Sequence, residues 1–96
     1  MNVRYTKRAL GDLNTIADYI SEHNRKAALD TEQAISRTAD NLADFPMLGI
    51  ELKELKVRKI LVPKSEYAIY YRVDFDEVWI VHIRHGRRKP LERGDV

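Results

Sequence analysis

The chain has no cysteine among its 96 residues, so neither a disulfide nor a thiolate metal site can form. That absence fits a reducing cytoplasm, where such a protein is expected to reside. Its four glycines stand singly, which leaves no glycine-rich loop to cradle a phosphate. No stretch approaches the roughly 18–20 apolar residues of a membrane span, and the opening "MNVRYTKRAL" lacks a signal-peptide core. No membrane partner is expected. What remains is an ordinary globular composition, 44% hydrophobic and 33% charged, in a length that holds one domain, 1–96.

Net charge is small, but the charges are unevenly placed. The net charge is only +2. Residues 1–56 carry 8 Lys/Arg against 9 Asp/Glu, and residues 57–96 carry 9 against 6. Five of the latter cations, Arg84, Arg87, Arg88, Lys89 and Arg93, crowd the end of the chain. Such a cluster marks an anionic or protein partner, or it is simply a solubilising end; residues 86–96 are expected to form a flexible basic tail.

Periodicity divides the chain in two. After a short β-branched and aromatic run, "NVRYT", Thr6 is placed to cap a helix over 7–22 with apolar positions Leu10, Leu13, Ile16, Ala17 and Ile20. Asn24 is placed to cap a second helix over 25–43, with an inward stripe of Ala28, Ile35, Ala39 and Leu42. Pro46 then stops helical structure. Beyond Gly49 the period drops to two, and "VRKILV" (57–62), "YAIYYRV" (67–73) and "EVWIVHIRH" (77–85) read as strands joined by short turns. The expected fold is therefore α+β, in the order β-α-α-β-β-β, with a helical hairpin packed on one face of an antiparallel sheet.

Strict alternation puts Ile69, Tyr71 and Val73 on one face with Trp79, Val81 and Ile83. Tyr70, Arg72, His82 and Arg84 then share the other face, which this reading leaves uncovered. Metal binding is disfavoured, because His82 and His85, three apart on a strand, point to opposite faces. Ser21, Ser36 and Ser65 have no evident histidine and carboxylate partners for nucleophilic catalysis. Acid–base cleavage of RNA needs a base, an acid and cations for the developing phosphate charge, and His82 with Arg72 and Arg84 supplies part of that set. The alternative is a histidine bonded to a neighbouring tyrosine beside solvated arginines. Tyr67, Tyr70 and Tyr71 are either stacking platforms or ordinary strand residues. No cofactor is implied.

Taken together, "YTKRALGDLNTIADYI", "FPMLG", "KVRKI", "YAIYYRV" and "VWIVHIRHGRR" resemble the ParE/RelE superfamily, the toxins of bacterial toxin–antitoxin pairs, over about residues 3–88. The RelE-like branch cuts mRNA on the ribosome with basic residues of its sheet. Mapped by position, one of that branch's arginines falls on Ala68, another on Arg88, and a lysine pair on Lys59 and Leu61, while its tail tyrosine has no counterpart near Gly94. Under that reading Arg72, His82, Arg84 and Arg88 would be the catalytic candidates.

The "YYRV" and "HGRR" segments are more similar to the ParE branch, whose members poison DNA gyrase without being known as ribonucleases. That resemblance implies target contact through Arg84, His85, Arg87, Arg88 and Lys89. It also implies silencing, within a hetero-oligomer, by a ParD-like antitoxin. The receptors for that antitoxin would be the exposed faces of the two helices (7–22 and 25–43) and an open sheet edge.

Overall fold

The computed structural model describes residues 1–87 and 91–95. Five strands form one mixed sheet: β1 (Asn2–Tyr5), β2 (Ile50–Leu52), β3 (Val57–Leu61), β4 (Tyr67–Asp74) and β5 (Glu77–His85). Between β1 and β2 run helices α1 (Lys7–Ser21) and α2 (Arg25–Asn41). The spatial order of the strands is β1-β5-β4-β3-β2. The expected α+β architecture is thus present, with two details that periodicity did not supply. β1 enters parallel to β5, and the three-residue β2 adds an antiparallel edge to β3.

Local chemistry explains the helices. Thr6 is extended, and its hydroxyl accepts the Ala9 N–H at 3.1 Å, while Asn24 does the same for Ala27 at 3.0 Å. In α2 the anticipated stripe is inward: Ala28, Ile35, Ala39 and Leu42 are all buried. In α1 the stripe agrees with the expectation at Leu13, Ile16 and Ile20 and departs from it at its start. Ala9 and Ile16 are buried, with Leu13 and Ile20 packed beside them, whereas Leu10 is half exposed. These side chains meet Ile69, Tyr71, Val78, Ile80 and Ile83 of β4 and β5 to form the main core.

Tyr71 ties the helical layer's exit to the sheet. Its fully buried hydroxyl donates to the Pro46 carbonyl and accepts the Gly49 N–H, both at 2.8 Å. Burial raises the tyrosine's pKa, so the neutral donor is the form the site selects. Gly49 is required here for closeness. A Cβ would lie 2.8 Å from the Tyr71 ring and 2.9 Å from the Lys59 carbonyl oxygen.

One irregularity decides which side chains face where. The β4–β5 ladder shifts between Tyr70 and Tyr71, so Tyr70 pairs with His82 but Tyr71 pairs with Ile80. Val81 is the extra residue of a β-bulge. Strict alternation through β5 is therefore wrong. Val78, Ile80 and Ile83 face the helices, and Val81 faces away with Trp79.

The second correction concerns the face turned away from the helices. It carries its own apolar cluster: Val57, Ala68, Tyr70, Val81 and Leu91 are buried, with Leu52, Leu55 and Trp79 against them. The turn after β2 (Lys53–Leu55, 3₁₀) and the terminal segment around Leu91 supply the cover. The reading that left this face open is overturned for Tyr70 and His82, which are 4% and 5% exposed. The physical reason is that Leu91, an apolar residue in an otherwise charged tail, lowers free energy by leaving water.

Candidate functional site

Four of the functional candidates, His82, Arg84, His85 and Arg87, lie where β5 runs past the end of β1. β1 pairs with β5 only as far as Tyr5 opposite Ile80, so the outer edge of β5 beyond that point needs other partners. α1 provides them. The Thr6 hydroxyl reaches the Val81 carbonyl at 3.3 Å, and one Asp12 carboxylate oxygen accepts the Ile83 N–H at 2.9 Å. The same oxygen lies 2.5 Å from Nδ1 of His82. Since a carboxylate oxygen accepts, Nδ1 is the protonated nitrogen of that ring.

His82 is therefore a structural tie between sheet and helix, with Tyr70 tilted beside it at 6.3 Å between ring centroids. Tyr70 in turn lies under the Lys59 ammonium, 5.8 Å from the ring centroid. This arrangement does not present His82 to solvent as a proton shuttle. Arg72, level with Trp79 in the ladder, is exposed and paired with Asp74 at 3.0 Å. Arg84 is largely buried and faces Asp95 at 3.5 Å, and its Nε has no hydrogen-bond partner among the described residues. Of the acid–base set expected on one open surface, only Arg72 is solvent-facing; Arg88 lies outside the described residues.

The target-contact set divides similarly. His85 sits at the end of β5, its ring edge-on to Tyr67 at 5.6 Å. Its Nδ1 accepts the Arg87 N–H at 3.1 Å, which leaves Nε2 to donate to Glu66 at 2.8 Å. Gly86 closes the hairpin end, its N–H donating to the Glu66 carbonyl at 2.6 Å. Arg87 is exposed, with only a loose 3.8 Å approach to Glu66. The hydrogen bond from His85, reinforced by the charge of Arg87, holds the Glu66 carboxyl below its ordinary pKa. Lys89, like Arg88, lies outside the described residues. A groove of about 380 Å³ runs between this end of β5 and α1, lined by Asp12, Thr15, Tyr19, Tyr67, Arg84 and His85 among others.

Reading cations alone missed their partners. Asp12, Glu66 and Asp95 each engage one of the basic candidates. A signal for Asp12 was available: a four-residue first strand cannot cover the edge of a nine-residue last strand. Leu91 was also visible as the lone large apolar residue after Ile83.

With this geometry in hand, comparison with known proteins is informative. A family model for the ParE toxin of the type II toxin–antitoxin system parDE matches residues 3–90. The chain belongs to the ParE toxin family. Toxin RelE2 of Caulobacter vibrioides is 38% identical over 86 residues, spanning 90% of this chain and 96% of that one. Putative toxin Y4kP of Sinorhizobium fredii is 30% identical over 87 residues, spanning 91% and 90% respectively. Among solved structures, one described as the chromosomal ParDE TA system from P. aeruginosa superposes with a TM-score of 0.76 at 24% identity. It covers 88% of this chain and 95% of its own, a likeness of fold. No helix among the described residues of this ParE-family chain is long and apolar enough to cross a membrane.

Proposed function

We propose that this ParE-family chain arrests growth by poisoning DNA gyrase and is held silent by a ParD-like antitoxin. The observation that carries the reading is the family match over residues 3–90 together with the form of the β5 terminus. There the turn at Gly86, at the open end of the β4–β5 hairpin, delivers an exposed Arg87 directly ahead of Arg88 and Lys89 in the sequence. Arginine is a frequent interface anchor because its planar fork makes several hydrogen bonds at once. Target contact is assigned to this element, with His85 and Arg84 as the rigid base that orients it.

Antitoxin docking is assigned to the outer helical surface and the β2 edge. Tyr19 and Leu29 are exposed on the helices, and Leu48, Ile50 and Leu61 are exposed around the short edge strand. Large apolar side chains left in water at a strand edge favour capture by a partner segment. The test is a supercoiling and cleavage-complex assay with purified gyrase. Toxin-dependent accumulation of cleaved DNA supports the reading, and unchanged supercoiling over a wide concentration range overturns it.

A second reading, ribosome-dependent mRNA cleavage, is favoured by one feature. Lys59, set over the buried Tyr70 ring, and the exposed Arg72 place two cations along β3 and β4, of the kind that contact a phosphate backbone. Primer extension on translated messages separates the two: toxin-dependent cuts support cleavage, and their absence removes it.

A further inference from the structure

Within the last residues, Leu91 and Asp95 behave as a ligand bound by the rest of the chain. Leu91 is 8% exposed in a socket made by Val57, Ala68, Tyr70 and Val81. Four residues later, Arg8 and Arg84 converge on Asp95. Nη1 of Arg8 donates to the Asp95 carbonyl at 2.9 Å, while the two guanidinium groups approach its two carboxylate oxygens at 3.9 and 3.5 Å. The intervening 3₁₀ turn, Arg93–Asp95, is closed internally. The Glu92 N–H donates to the carboxylate and the Asp95 N–H to the Glu92 carbonyl, both at 2.9 Å.

The receptor and the occupant come from different parts of the chain. An apolar socket and a two-arginine clamp belong to β3, β4, β5 and α1, and the pieces that fill them belong to a short segment with its own internal turn. Arg84 remains under-used in this arrangement. It is largely buried, its distance to the carboxylate is long, and its Nε has no partner among the described residues. A better-seated carboxylate would satisfy it and form the bidentate pairing arginine prefers.

We propose that the Leu91 socket and the Arg8–Arg84 clamp form a docking site for a protein segment carrying an apolar residue followed at the fourth position by a carboxylate. The chain's own Leu91–Asp95 occupies the site in cis, and a partner segment of that chemistry enters by exchange. The clamp's charge and the in-chain occupant together fix this choice of partner over a nucleic-acid phosphate, which offers no apolar anchor for the socket. The inference does not depend on whether gyrase is the target.

The single tryptophan reports on the site, because Trp79 packs against the Leu91 cluster. In the full-length chain, the double substitution Leu91→Ser with Asp95→Asn is expected to red-shift Trp79 emission and increase its quenching by acrylamide. A synthetic peptide of residues 90–96 added in trans is expected to reverse both changes saturably, and a scrambled peptide to leave them. Unchanged emission in the variant, no reversal by the peptide, or equal reversal by the scrambled peptide, inorganic phosphate or a single-stranded oligonucleotide would each overturn the proposal. Should circular dichroism show the double variant unfolded, Asp95→Asn alone provides the test by amide exchange. Faster exchange at residue 95 with undiminished protection in β4 and β5 supports a separable occupant; no change at residue 95 sinks it.

Discussion

Asp12 is one side chain serving two donors, the Ile83 backbone and the His82 ring, at a place where no strand is available. Removing it leaves both donors without their partner in a part-buried setting, and each unmet buried donor costs about 1–3 kcal/mol. Asp12→Ala is therefore expected to lower the urea midpoint markedly. Asp12→Asn, which keeps an acceptor for Ile83, should lose less. Equal losses for the two variants would mean that the negative charge, and not the acceptor offered to Ile83, is what holds this corner.

Phe75 is the opposite case. It is 99% exposed at the β4–β5 turn and holds φ at 53°, a left-handed conformation uncomfortable for a bulky aromatic. Phe75→Gly is expected to stabilise the isolated chain by up to about 1 kcal/mol, by relieving that strain. Thermal denaturation checks the sign.

At the scale of elements, the end of β5 is closed by a small electrostatic clasp: His85 and Arg87, which flank Gly86, both approach Glu66. The Glu66 pKa lies below its unfolded value, so the clasp contributes fully above that unfolded value. Its contribution is lost as pH falls through the lower, folded one. The carboxyl midpoint of Glu66, followed by NMR, is expected below the ordinary 4.5, and His85→Ala should move it back up. Because Glu66 is fully exposed, the consequence is local ordering of the hairpin end rather than global stability.

The elements also show what periodicity can and cannot report. The α2 stripe was legible because four small or branched apolar residues repeat at helical spacing and all four are inward. The three long strands were legible for the same reason at period two. β2 was not, since three residues with Ile50 in solvent carry no pattern. Nor was the face assignment of β5, because a one-residue bulge at Val81 inverts parity without leaving a compositional trace.

On the scale of the whole molecule, the basic end of the sheet was visible as charge alone. Its geometry was not, since Asp12, Glu66 and Asp95 come from distant parts of the sequence to meet Arg and His. Replacing Arg87, Arg88 and Lys89 together by Ala is expected to reduce growth arrest on induction while antitoxin co-purification persists. Loss of both would place the antitoxin, not the target, on that element.

Arg8 and Asp95 stand 87 positions apart, and among the described residues β1 pairs only with β5. During synthesis β1 therefore has no strand to pair with until β5 (Glu77–His85) has been made, so the sheet closes late. Over that interval a partner protein already present can meet a chain whose outer layer is still open.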